Sequence, residues 1–258
     1  METKKSMFDE LDPDIIDRVV SRRNALINTG KIGIGLALAS VPVTFGLLST
    51  KAFAKSSTPA EVLDVLNYAL KLEYLENRFY VTANASSGLI PGSDAQIFTQ
   101  IAKHEAAHVA LLKSTITQLG GTPIAEPTFN YTKNFPDVFT NYQTFLAVSQ
   151  GFEDTGVRAY KGRATELMSN KTVLTAALQI HSVEARHAAI VRRLRGQKGW
   201  ITGNDRGGLP AAAQAIYDGE ENLVQGTNTV GKVTVTSSEA YDEPLNATQV
   251  GAIVSLFM

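Results

Sequence analysis

The chain contains no cysteine. That excludes disulfides, thiolate metal sites and a cysteine nucleophile, and leaves carboxylate and imidazole as the side chains able to hold a metal, which suits iron, manganese or zinc. Charge of one sign is also lacking: the formal net charge is −1, and no basic stripe with interleaved aromatics runs along the sequence, so nothing points to a nucleic-acid partner. The longest apolar run, Ile32 to Leu48, is interrupted by Pro42 and falls short of the roughly 20 residues a spanning helix needs. Histidine is scarce, with four in 258 residues, and none is spare for a Ser-His-Asp triad, because all four fall inside two short segments.

Those segments are near twins. Ile101-Ala102-Lys103-His104-Glu105-Ala106-Ala107-His108 and Ile180-His181-Ser182-Val183-Glu184-Ala185-Arg186-His187 both carry Ile, then Glu four later, then His three after that. Residues three apart share a helix face, so each segment can aim one carboxylate and one imidazole at the same point.

The N-terminal stretch reads as an address. Ser21-Arg22-Arg23-Asn24-Ala25-Leu26 precedes the apolar run, and Ala52-Phe53-Ala54 follows it as a small-x-small cleavage site. The paired arginines look like a twin-arginine signal, from which Ala25 departs where Phe is usual. Residues 1–54 are therefore expected to be an export signal cleaved after Ala54, giving a periplasmic or otherwise exported protein with no membrane attachment. Substrates of that route generally cross folded, often with a cofactor already inserted.

With 44% hydrophobic residues the remainder has material for one principal core. Four helices are expected. The first begins with Thr58 as N-cap and Pro59 at the first helical position, and its apolar stripe of Val62, Leu66 and Ala69 continues through Glu73, Glu76 and Tyr80. Acids on a core face need a cation, so Glu73 is expected to have one; Glu76 either joins it or reaches past the core to solvent. The second helix, about Asp94 to Leu119, presents Ile97, Ile101, Glu105, His108, Leu112 and Thr115 and stops at Gly120-Gly121. Thr122 to Asn141 contains three prolines and no periodicity, a length that suits a crossover along the outside of a four-helix bundle. The third helix, Tyr142 to Met168, carries Leu146, Glu153, Val157 and Tyr160, with Gly151, Gly156 and Gly162 allowing a neighbouring backbone or a small substrate to approach. The fourth, Thr172 to Arg195, carries Leu178, Ile180, Glu184, His187, Val191 and Leu194.

The halves align: Glu73 precedes Tyr80 by seven residues, as Glu153 precedes Tyr160, and Glu73 precedes Glu105 by 32 residues where Glu153 precedes Glu184 by 31. One Glu from each of the first and third helices, with Glu-x-x-His from each of the second and fourth, is the donor set of a dinuclear carboxylate site in such a bundle. Here it is Glu73, Glu105, His108, Glu153, Glu184 and His187.

On Leu72-Glu73-Tyr74-Leu75-Glu76 with Phe79-Tyr80, on the two Glu-x-x-His segments, and on the closing Glu239-Ala240-Tyr241-Asp242-Glu243-Pro244-Leu245, the chain resembles the ferritin-like superfamily, and within it the exported proteins sometimes called desiccation-related. The resemblance spans Thr58 to Arg195. It implies an all-α four-helix bundle over residues 55–196 holding two iron or manganese ions, with zinc the inert occupant. Glu105 and Glu184 would bridge them, Glu73 and Glu153 would be terminal, and His108 and His187 would bind one ion each. His104 and His181 are either supports for the ligands or unconnected histidines, and Tyr80 and Tyr160 either hydrogen-bond the opposite side's carboxylates or pack the core.

Residues 197–258 carry a candidate strand, Lys232 to Thr236, and a candidate short helix, Gln249 to Met258; they are expected to pack on the bundle or in a contact between copies of the chain. Two functions follow. One is oxidation of Fe(II), or consumption of oxygen or peroxide, at the dinuclear centre. The other is a non-enzymatic stress or desiccation scaffold with a structural or sequestered metal.

Overall fold

The computed structural model describes residues 60–227 and 231–258. The expected export signal, the cleavage site and the Thr58–Pro59 helix start lie outside the described residues. Among them, no helix is long and apolar enough to cross a membrane.

Four long helices form the bundle: α1 (Ala60–Ala85), α2 (Ala95–Gln118), α3 (Tyr142–Arg163) and α4 (Lys171–Leu194). The side chains of Asn141 and Asn170 cap α3 and α4 by accepting first-turn N–H groups. Gly120 and Gly196, at φ +79° and +72°, stop α2 and α4 in a conformation that favours glycine. α1 packs along α2 and α3 along α4, and the two hairpins meet along α1 and α3.

The long connection after α2 travels up the outside of α1. Asn67 bonds to Thr122 and Ile124, Tyr74 donates to the Ile124 carbonyl, Arg78 pairs with Glu126, and the Tyr131 hydroxyl donates to the Leu75 carbonyl at 2.7 Å. Buried Tyr131, Phe135 and Val138 hold it there.

Two expectations need correction. The third helix does not continue to Met168: its α-helical part ends at Arg163 and tightens into a 3-10 turn, Ala164–Leu167, where Arg163 pairs with Glu166. Leu178 does not face the core and is 49% exposed. It lies two residues from Ile180, on the opposite side of the helix, and the buried stripe of α4 is Val173, Ala177, Ile180, Glu184, His187 and Val191.

After α4 come a 3-10 turn (Ala211–Ile216), an antiparallel hairpin of β1 (Val224–Thr227) and β2 (Gly231–Thr234), and α5 (Ala247–Val254). Asn246 and Gln249 form a capping box at the start of α5. The extension lies against the bundle. Phe257 stacks on Phe135 and meets Phe152 edge-on at 4.6 Å, and the Arg158 guanidinium donates to the carbonyls of Ile216, Asp218 and Glu243 while pairing with Glu220. This covering explains why α3 is buried all round from Phe145 to Leu146 and from Val148 to Tyr160.

The core has two apolar clusters, one around Phe79, Phe98, Phe145, Phe152 and Phe257, the other around Leu66, Leu70, Leu112, Ile116, Val173 and Ile180. A layer of acids and imidazoles lies between them.

Candidate metal centre

Glu73, Glu105, Glu153 and Glu184 are completely buried, one on each helix, and His108 and His187 lie among them. Their donor atoms fall into two groups, each confined within 4.8 Å: Glu73, Glu105, His108 and Glu184, and Glu105, Glu153, Glu184 and His187. Glu105 and Glu184 belong to both.

Hydrogen bonding alone does not satisfy this arrangement. The His108 Nδ1 faces Glu73 Oε2 at 3.1 Å, Glu105 Oε2 at 3.2 Å and Glu184 Oε1 at 3.1 Å, yet one ring nitrogen carries at most one proton. On the other side the His187 Nδ1 faces Glu105 Oε1 at 3.0 Å, Glu153 Oε2 at 3.3 Å and Glu184 Oε2 at 3.6 Å. These four atoms and Glu184 Oε1 are buried without a hydrogen-bond partner, although they stand this close. Close approach without hydrogen-bond alignment is what donor atoms aimed at a common centre look like, and buried groups left so are rare without an ion to receive them. Four carboxylates and two divalent cations also cancel in formal charge, and the donors are the oxygens and imidazoles that iron, manganese and zinc accept. The residues therefore fit a dinuclear metal.

Without one, the cluster can relieve its charge only by holding protons. Burial, then the Glu184 charge, pushes Glu105 up to about 7, and burial pushes Glu153 up to about 8. Burial works against the charged imidazole of His187, but the Glu153 charge and its carboxylate contacts outweigh it and push the ring up to about 12; His108 is raised in the same way. Burial would also raise Glu184, yet the two imidazoles overcome it and hold that carboxyl at about 2.

The surrounding residues fall into place unevenly. The Tyr80 hydroxyl of α1 donates to Glu153 of α3, and the Tyr160 hydroxyl of α3 donates to Glu73 of α1, so each hairpin orients a carboxylate of the other. His104 reaches His187, with Nδ1 at 2.9 Å from its Nε2. A metal held by the His187 Nδ1 would leave that ring's proton on Nε2 to be donated to His104, and His104 would then keep its own proton on its Nε2. The Gln100 amide nitrogen stands 2.8 Å from that Nε2, so accepting its proton takes a half-turn of the amide that brings the oxygen round. His104 suits the accepting role, because burial and the neighbouring His187 and His108 lower its pKa and keep it neutral. Glu76 does not reach solvent: it is 3% exposed, and burial, with the charges of Glu184, Glu105, Glu153 and Glu73, raises it well above the carboxylate range. His181 is not brought to the cluster, and its Nδ1 is buried without a partner.

Sequence reasoning passed over Gln100 and the network behind the centre. Asp154, next to Glu153, takes both Arg192 Nε at 3.0 Å and Arg192 Nη2 at 2.6 Å, and accepts the Tyr217 hydroxyl at 2.7 Å. Its signal was an α3 with no lysine or arginine before Arg158, in keeping with a helix buried throughout from Val148 to Tyr160.

Residues 61–197, more than half of the chain, match the family model described as Ferritin-like domain. No curated protein matches the chain. Two helical hairpins that pool buried glutamates and histidines between them, within a segment which that model covers, place the chain in the ferritin-like domain family.

Proposed function

We propose that this is an exported dinuclear metal protein which oxidises Fe(II), or consumes oxygen or peroxide, at the centre formed by Glu73, Glu105, His108, Glu153, Glu184 and His187. The observation that carries the reading is the pair of four-residue groups sharing Glu105 and Glu184, with both imidazole nitrogens held against three carboxylate oxygens each. In this reading Glu105 and Glu184 would serve both ions, Glu73 and Glu153 would serve one each, and each histidine would serve one. When bound, the pair supplies two one-electron steps, so that two Fe(II) become two Fe(III) while dioxygen takes both electrons and two protons and leaves as hydrogen peroxide.

The chain's own groups prepare that chemistry. Tyr80 and Tyr160 fix the terminal carboxylates, His104 and Gln100 fix the His187 tautomer, and two apolar clusters keep bulk water from the layer. Glu76 is a fifth buried carboxyl beside the centre, raised well above the carboxylate range by burial and then by the neighbouring glutamates. Export by a twin-arginine-type signal is supported by Arg22-Arg23, the Ile32 to Leu48 run and Ala52-Phe53-Ala54. Membership of the desiccation-related subgroup is supported by the closing segment, whose Glu243 carbonyl accepts from Arg158 and whose Leu245 N–H donates to the Arg158 carbonyl of α3.

Elemental analysis of residues 55–258, prepared with iron and manganese supplied, tests the reading. Two ions per chain are expected, as one per donor group, and their loss in Glu105→Ala/Glu184→Ala. A folded parent that takes up neither metal refutes it; the scaffold alternative predicts bound metal with no turnover by oxygen or peroxide.

A further inference from the structure

The likeness of the two hairpins fails at one place beside the centre. Glu76 follows Glu73 by three residues and precedes Tyr80 by four; the residue that follows Glu153 by three and precedes Tyr160 by four is Gly156. Where α1 carries a carboxyl, α3 carries a glycine.

The two differences form one arrangement. A Cβ at Gly156 would stand 3.4 Å from Glu76 Oε1 and 3.6 Å from Glu184 Oε2, so a side chain longer than a methyl would drive into those oxygens. The glycine, unfavourable inside a helix, is what lets the Glu76 carboxyl reach over α3 towards α4. Glu76 is buried, yet among the described residues its carboxyl has neither a hydrogen-bond donor nor an ion-pair partner. A carboxyl so placed normally has one. The tyrosine hydroxyls of the layer are already committed to Glu153 and Glu73.

The carboxyl also takes a side. Glu184 Oε2, the oxygen over Gly156, is the one that faces His187, while Oε1 faces His108. Of the four glutamates that repel Glu76, Glu184 acts most strongly and Glu73, on its own helix, least. Both observations set Glu76 with the group of Glu105, Glu153, Glu184 and His187, away from its neighbour in sequence.

We propose that Glu76 is a further metal ligand, serving the ion of the Glu105, Glu153, Glu184 and His187 group, and that Gly156 is the residue that admits it. The inference rests on the dinuclear reading above and makes its two positions unlike, one with four donor residues and the other with five. The five-residue position favours manganese or iron, which accept added carboxylate oxygen, over zinc, which four ligands satisfy.

Manganese(II) and zinc, each competed against a chelator, test this without turnover. In Glu76→Gln one of the two manganese ions is expected to bind more than about 100-fold more weakly, beyond the 10–100-fold loss of a group that only orients a ligand, while zinc keeps its parent affinity. Adding Tyr80→Phe should weaken that same ion further, and adding Tyr160→Phe should weaken the other. A crystal structure of the manganese-loaded parent needs no variant, and should show a Glu76 oxygen on the ion that His187 binds. Glu76 lying off both ions there, parent-like manganese affinity in Glu76→Gln, or equal losses for manganese and zinc each overturn the ligand while the dinuclear reading stands. A folded parent that binds neither metal overturns that reading and the ligand with it.

Discussion

Replacing Gly162 by alanine should unseat the C-terminal extension. Glycine inside a helix gives up about 1 kcal/mol relative to alanine, so on propensity alone Gly162→Ala would stabilise the chain. A Cβ there would stand 1.9 Å from the Leu245 carbonyl oxygen and 2.8 Å from its carbon, backbone atoms with no rotamer to escape into. The Leu245 segment would have to retreat by more than about 1 Å to reach contact distance. Retreat breaks the 3.0 Å bond from the Leu245 N–H to the Arg158 carbonyl, worth about 1 kcal/mol, and exposes a fully buried leucine worth about 1.5–3 kcal/mol. Set against the propensity gain, the net loss is about 1.5–3 kcal/mol, which for a domain of this size lowers Tm by roughly 3–12 °C. Gly251→Ala is the control, since a Cβ in α5 meets nothing within 4 Å and should raise Tm by a few degrees, about 1 kcal/mol of propensity. Thermal melts of both variants at fixed metal content decide the matter. A Gly162→Ala protein that melts with Gly251→Ala, at or above the parent, refutes the close approach.

Tyr160→Phe frees Glu73 and Tyr80→Phe frees Glu153, so each should weaken one ion by about 10–100-fold and leave the other nearly unchanged, as read by chelator competition; parent-like affinity for both ions in both variants would sink the orienting role. Loading the empty protein at pH 7 should release protons, because Glu153 at about 8, Glu105 at about 7 and His187 at about 12 hold them until a metal takes their place. Affinity therefore rises with pH, and a pH-stat that records no acid on metal addition contradicts the donor assignment. Asp154→Ala strands the buried Arg192 and should cost about 3–5 kcal/mol in denaturant melts, whereas Asp154→Leu with Arg192→Met should recover most of it; a loss below about 1 kcal/mol in the single variant would show that the pair is not buried as described.

What the sequence made legible was what helix periodicity carries. Glu105 with His108 and Glu184 with His187 are three apart, so their shared face follows from the chain itself, and the scarcity of histidine left no competing site. The crossover was legible from its length and prolines, and the glycines of α3 from their number: Gly162 meets the Leu245 backbone, Gly151 lies under Ile216, and Gly156 lies against Glu76 and Glu184. Contacts made across long stretches of chain were not legible. Tyr80 finds Glu153 over 73 residues and Tyr160 finds Glu73 over 87, pairings that the repeat suggests without deciding against simple packing. Arg158 holds the extension through three backbone carbonyls, and a carbonyl has no residue signature. Leu178 was misplaced because a leucine two positions off the stripe looks the same in composition.

Each donor group draws on both hairpins: the first takes Glu184 from α4 to complete a set from α1 and α2, and the second takes Glu105 from α2 to complete a set from α3 and α4. An ion seated in either therefore clasps residues nearly eighty positions apart in a chain that has no cysteine to tie them covalently. Nicking the backbone in the crossover would leave two fragments with neither site whole in either one, so recovery of metal binding would report their reunion, and a chelator would act on them as a reducing agent acts on a disulfide-linked pair.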